Sequence, residues 1–145
     1  MHIRAKAGPY RFLIPASSIL EVWAVTEPGA AQMDWRGRRR PFVDGRSLLG
    51  LGSAGDIRSV AVYGESVDDP CVALLGLEEV AGAVPLPPSA LRPFPASLTR
   101  AHLLFDGIAL VPGETECLPR LRTGLDLAAL AGAPATISSA ERSPI

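Results

Sequence analysis

The chain has 145 residues, 48% hydrophobic and 20% charged, with a formal net charge of −1. That composition excludes a disordered chain and fits one domain with its own core. The near-neutral balance argues against a general nucleic-acid binder, and the longest nearly unbroken apolar stretch, Val72–Leu77, is far shorter than the roughly 20 residues a membrane-spanning helix needs.

His2–Ala7 alternates strictly, with Ile3, Ala5 and Ala7 on one face and His2, Arg4 and Lys6 on the other, the period of a half-buried strand. Gly8-Pro9 is a turn, and Tyr10–Ile14 resumes the alternation as far as Pro15, so Ile3–Ile14 reads as a hairpin. Ser17 and Ser18 suit a single turn, Ile19–Val25 is β-branched and apolar, and Glu27–Gln32 is a loop around Pro28-Gly29. Arg38–Val43 reads as a strand that Pro41 holds at an edge or bulge. Asp44–Gly50 reads as one helical turn, with Asp44 as N-cap and Gly50 ending it in the left-handed conformation. Strands follow at Arg58–Tyr63, Val72–Leu77 and Val80–Leu86, then a proline-rich connection from Pro85 to Pro95. Asp106-Gly107 between Ala101–Phe105 and Ile108–Val111 is the strongest hairpin signal, since both positions of a type I′ turn need positive φ. Gly113–Arg122 reads as a polar insertion, Leu125–Ala131 as a helix closed by Gly132 and Pro134, and Thr136–Ile145 as a frayed end. About eight short strands with turns between them predict a small all-β barrel or sandwich.

Chemistry-bearing patterns are weak. Gly50–Gly55 matches G-x-G-x-x-G literally, but a dinucleotide site needs a strand before it and a long helix after it, the reverse of the order here. His2, His102, Cys71 and Cys117 form no metal-ligand pair by spacing. A surface histidine with its bonds met and two buried thiols is the reading preferred for them. Two distant cysteines exclude a disulfide framework and fit a reducing cytoplasm. Met1–Ala7 lacks the apolar block of a signal peptide. No nucleophile elbow occurs, Glu78 and Glu79 are strand neighbours on opposite faces, and Asp68-Asp69 before Pro70 is turn chemistry. The densest feature is Trp35-Arg36-Gly37-Arg38-Arg39-Arg40-Pro41, with four arginines in five positions. Either the run is a solvated or protein-docking arm, or it binds phosphate; Trp35 stands alone, without the aromatic interleaving that reads bases.

Several segments together resemble the CheW family, the chemotaxis coupling proteins whose domain also forms the regulatory end of the CheA kinase. They are Tyr10–Ala16, the Ile19-Leu20-Glu21-Val22 strand, Trp35-Arg36-Gly37-x-x-x-Pro41-Phe42-Val43-Asp44 and Leu48-Leu49-Gly50-Leu51. Glu78–Val84 is similar to a later family strand, and the resemblance covers roughly residues 1–112. It implies an all-β fold of two five-stranded β-barrel subdomains around a shared hydrophobic core, with short helical connections and a C-terminal helix. The expected organisation is one domain over residues 1–133 and a flexible tail over 134–145. It implies no catalysis, no cofactor and no metal, and a cytoplasmic adaptor at membrane-associated receptor arrays. The expected partners are a chemoreceptor cytoplasmic tip and the regulatory domain of a CheA-type histidine kinase.

Arg36 sits at the family's receptor-contact position, and Ile19 and Val22 lie on the strand that lines the same groove. Gly37, Pro41 and Asp44 are read as a turn, a bulge and a cap. The chain departs from the family at Asp34 (an Asn there), Trp35 (an aliphatic), Arg38–Arg40 (mostly apolar) and Glu78 (an Asp). Asp34 places a carboxylate where it is expected to pair with Arg36, and Trp35 is expected to enlarge an exposed apolar contact. These add Trp35 and Asp34 to the partner-binding candidates. Barrel edges and Trp35 leave self-association open. Two alternatives stand beside the adaptor: a small β-barrel binding single-stranded nucleic acid through Arg36–Arg40, and a divergent relative that binds kinase only.

Overall fold

In a computed structural model that describes residues 1–25, 32–51, 57–94 and 103–131, eleven strands follow one another along the described chain. β1 (His2–Ala7) and β2 (Tyr10–Pro15) form the expected hairpin, and a 3₁₀ turn at Ala16–Ser18 leads into β3 (Ile19–Ala24). β4 (Gln32–Trp35) and β5 (Arg38–Asp44) precede a single helical turn, α1 (Gly45–Leu48). β6 (Ser59–Tyr63), β7 (Ala73–Leu77) and β8 (Glu79–Val84) follow as expected. A 3₁₀ turn at Pro88–Ala90, β9 (Leu91–Pro93), β10 (Phe105–Leu110), β11 (Cys117–Leu121) and helical residues 127–131 complete the described chain. The loop expected before Gln32, most of the glycine-rich run, Pro95, His102 and the C-terminal tail lie outside the described residues.

The strands form two curled sheets, six-stranded in the order β8-β1-β2-β11-β10-β9 and five-stranded in the order β3-β6-β7-β5-β4. The fold is all-β with two subdomains, as the resemblance implies, although one sheet has six strands and not the five expected. Side chains of a strand alternate between faces, and the central strands use both. Val60 and Val62 of β6 and Leu74 of β7 fill the five-stranded subdomain, while Ala61, Tyr63, Ala73, Leu75 and Leu77 point the other way. There they meet Ala5, Ala7, Phe12, Ile14, Phe105 and Leu121 of the six-stranded sheet in one shared core. A third cluster, with Leu13, Ala109, Val111 and Leu118, fills the six-stranded subdomain.

Asp106-Gly107 does not form the expected turn. β10 runs straight through it, paired with β11 on one side and β9 on the other, and the pairing with β11 shifts register there. The extra residue of this bulge reverses the side-chain alternation, so Phe105 faces the shared core and Ala109 the six-stranded interior. Asp106 grips Arg120 of β11 with two bonds, at 2.9 and 3.1 Å. The local turn preference yields to two flanking strands and a bidentate ion pair. β11 itself replaces the expected polar insertion; Pro119 inside it and the acidic residues before it disguise it as a loop. Glu114 in the β10–β11 connection receives Arg11 at 3.1 Å and lies 3.5 Å from Arg4.

The cap reading holds at α1. Asp44 Oδ1 accepts the Arg46 amide hydrogen at 2.9 Å, and Gly50, at φ 81°, turns the chain so that the Leu51 amide donates to the Arg46 carbonyl at 2.8 Å. Pro41 sits where β5 changes partner: residues through Pro41 pair with β4, and pairing with β7 begins at Phe42. Leu125–Leu127 opens the last helix, with Asp126 Oδ1 accepting the Ala129 amide hydrogen at 3.1 Å and Leu127 in the shared core.

Two buried polar groups bear on the stability of this frame. The Tyr63 hydroxyl donates to the Arg122 carbonyl and accepts the Leu125 amide hydrogen at 3.1 Å, holding the chain between β11 and the last helix against the second sheet. His2 is buried, with no hydrogen-bond partner for either ring nitrogen among the described residues, which corrects its reading as a surface histidine. Burial pushes the Tyr63 hydroxyl pKa up to about 12 from 10.0. The neutral phenol therefore supports the fold fully below pH 10, and that support is lost as pH rises through about 12. Tyr63→Phe is expected to cost about 1–3 kcal/mol, by leaving two backbone groups without their partner, and to remove the alkaline slope in urea titrations. Burial first, then the Met1 amine and the Arg120 guanidinium, lowers the His2 pKa from 6.5, with Asp106 opposing. Stability is expected to decline as pH falls below 6.5, and His2→Leu is expected to flatten that acid limb in the same measurement.

Candidate functional site

The site begins with the hairpin between β4 and β5. Arg36 and Gly37 connect the strands with φ of 50° and 79°, both positive as a type I′ turn requires. Register follows from that two-residue connection: Trp35 faces Arg38, Asp34 faces Arg39 and Met33 faces Arg40. Trp35 is 5% exposed and lies in the five-stranded interior with Val60, Val62, Val72 and Leu74. The expectation that it enlarges an exposed apolar surface is therefore corrected: alternation turns its side chain inward. Its indole Nε1–H donates to Glu21 Oε1 at 3.3 Å. β3 and β4 are the two edges of the five-stranded sheet, so this bond joins one edge to the other.

The Arg36 guanidinium carbon lies 5.2 Å from the centroid of the Trp35 ring, within cation–π range. Asp34 does not pair with Arg36. It faces Arg39 across the ladder at 4.0 Å with both side chains mostly exposed, a pair that contributes little.

On β3, a bulge between Ile19 and Glu21 brings Glu21 opposite Val62 and Val22 opposite Ala61. Cross-strand partners share a face, so Ile19 and Val22 project to the side of the shared core, and Glu21 projects to the Trp35 side. Ile19 is half-buried against that core, and Val22 is 40% exposed. The structure thus brings Arg36, Trp35 and Glu21 together, with Val22 next to Glu21 along the edge strand, and leaves Asp34 apart. Glu21 is the residue that the site analysis of the sequence missed. Its signal was the Glu-Val pair of β3, and nothing local showed that its partner is an indole 14 residues on.

The arginine run is not one arm. Arg38 and Arg39 are exposed, whereas Arg40 is buried. Its guanidinium donates to the Asp69 carbonyl at 3.2 Å and the Val67 carbonyl at 3.4 Å, clamping the β6–β7 connection. Asp69 shapes the same connection by accepting the amide hydrogens of Glu65 and Cys71 at 3.0 and 2.8 Å. These bonds, with Arg40 nearby, hold its carboxyl below the usual carboxylate range. Cys71 is half-buried and Cys117 exposed, so the pair of buried thiols expected from the sequence is not found. Among the described residues no three His, Cys, Asp or Glu side chains gather as a metal site, and no helix is long and apolar enough to cross a membrane.

No protein-family model matches the chain, and no curated protein matches it in sequence. Among solved structures it is similar to the scaffolding protein TtCheW from Thermoanaerobacter tengcongensis, with a TM-score of 0.65 and 16% identity. The match covers 83% of this chain and 87% of that one. At that identity the likeness establishes a shared fold, the CheW-like arrangement of two β subdomains.

The division within the arginine run is directly measurable. Arg40→Ala is expected to cost about 1–3 kcal/mol in urea denaturation, because it strips two carbonyls of their donor inside the fold. Arg38→Ala and Arg39→Ala are expected to stay within about 0.5 kcal/mol of the parent.

Proposed function

We propose that this chain is a non-enzymatic adaptor that couples chemoreceptors to a CheA-type histidine kinase, at receptor arrays on the cytoplasmic side of the membrane. The observation that carries this reading is the position of Arg36. On a fold shared with a CheW scaffolding protein, it stands exposed at the apex of a short hairpin whose Trp35 is bonded to Glu21 of the β3 edge. A receptor tip is a helical hairpin. A helix laid along β3 would bury Val22 and Ile19 under an apolar stripe, and Arg36 would reach an acceptor at the rim. Kinase binding is supported by the fold alone, since the same domain type forms the regulatory end of CheA. Nucleic-acid binding is disfavoured by the burial of Trp35, which leaves no aromatic face at the hairpin for a base to stack on. The burial of Arg40 removes one of the four guanidinium groups on which that alternative rested.

The test is size exclusion of the purified protein with a soluble receptor tip and the kinase regulatory domain from the same organism. The wild type is expected to elute in a ternary peak. Arg36→Glu is expected to lose the receptor, keep the kinase and melt at nearly the parent temperature. Receptor binding that survives Arg36→Glu rejects Arg36 as the contact. A complex with kinase only identifies the chain as a kinase-binding relative, and no complex with either partner rejects the coupling role.

A further inference from the structure

The hairpin tip holds a residue that the backbone alone does not favour. Arg36, at φ 50°, is the one non-glycine residue with positive φ among the described residues. The first central position of a type I′ turn is best filled by Asn, Asp or Gly, because an ordinary side chain crowds the carbonyl in the left-handed conformation. Among the described residues one contact with the fold is all that offsets this cost. Arg36 is exposed, makes no ion pair among the described residues, and rests against the face of Trp35. Strained backbone of this kind concentrates where a side chain is needed by something outside the fold.

Trp35 is in turn fixed from two sides. Its ring is packed among valines and leucines, and its Nε1–H is held by Glu21 on the opposite edge of the sheet. The ring plane against which Arg36 rests is therefore set by a residue of β3, the strand that also carries Val22.

We infer that Glu21 and Trp35 are positioning residues for Arg36, orienting its guanidinium before a partner arrives. This rests on reading Arg36 as the partner contact and adds to it how the contact is prepared. A free arginine side chain loses much rotamer freedom on binding, and stacking on a fixed ring removes part of that loss beforehand. The planar guanidinium held in this way suits a two-pronged acceptor, so the partner group it fits is a carboxylate.

The experiment has two arms. In the free protein, ¹⁵N relaxation of Arg36 Nε–H is measured for wild type, Glu21→Ala, Glu21→Gln and Trp35→Phe. Arg36 Nε is expected to be ordered in wild type, to become mobile in Glu21→Ala and Trp35→Phe, and to regain order in Glu21→Gln, whose amide oxygen still accepts the indole hydrogen. Equal mobility in all four overturns the inference. Glu21 is exposed, so Glu21→Ala keeps this arm decisive even if Trp35→Phe fails to fold.

The second arm titrates a soluble receptor tip. Glu21→Ala and Trp35→Phe are expected to bind it about fivefold more weakly, the cost of immobilising one long side chain on binding, with Glu21→Gln near wild type. Arg36→Asn is expected to raise the melting temperature and to abolish tip binding. A mobility change with tip affinity untouched in every variant, Arg36→Asn included, overturns Arg36 as the receptor contact. The positioning geometry survives that result, so the two failures are told apart.

Discussion

A single apolar layer between the two sheets carries the architecture. Ala61, Tyr63, Leu75 and Leu77 from one side meet Phe12, Ile14, Phe105 and Leu121 from the other, and each sheet also fills an interior of its own. The central strands must therefore be apolar on both faces, which is why β7 is buried along its whole length and β6 along all but its first residue. The requirement reaches the polar groups as well. The Tyr63 hydroxyl, at the edge of that layer, is occupied by backbone of the chain leading to the last helix.

The same requirement explains the two bulges that matter. On β10 the extra residue at Asp106 lets one strand serve the shared core at Phe105 and the six-stranded interior at Ala109. On β3 the bulge between Ile19 and Glu21 sends Leu20 and Trp23 into the five-stranded interior while Ile19 and Val22 face the shared-core side. The second bulge puts Val22 and Glu21 on opposite faces of one short strand, so the shared-core side and the Trp35 side are built from neighbouring residues.

Across the five-stranded sheet, the indole of Trp35 does what a sixth strand would do in a closed barrel. It covers the interior and hydrogen-bonds from one edge strand to the other. Arg36 is thereby attached to a buried frame and not to a free loop. The adjoining arginines divide by the same alternation: Arg40 turns inward to two carbonyls, and Arg39 turns outward to Asp34.

Local chemistry alone determined a good share of this protein. Strict alternation placed β1 and β2, the carboxylate of Asp44 and the freedom of Gly50 bounded α1, and β-branched runs placed β3, β6 and β7, because each signal is complete within a few residues. Arg36 and Val22 entered as site candidates only through the family resemblance, on the Arg36-Gly37 and Glu21-Val22 segments. Tertiary structure alone decided the rest. Asp106-Gly107 is a strand bulge because two neighbours and Arg120 outweigh a turn preference. β4 is a strand because it closes a two-residue hairpin with β5, although Asp34 speaks against it locally, and β11 is one because β10 on one side and the distant β2 on the other supply its ladders, although Pro119 speaks against it. Trp35 is an inward anchor and Arg40 a buried clamp because burial depends on which sheet face covers a side chain, and a hydrogen bond such as Trp35 to Glu21 exists only once two sheet edges are brought together.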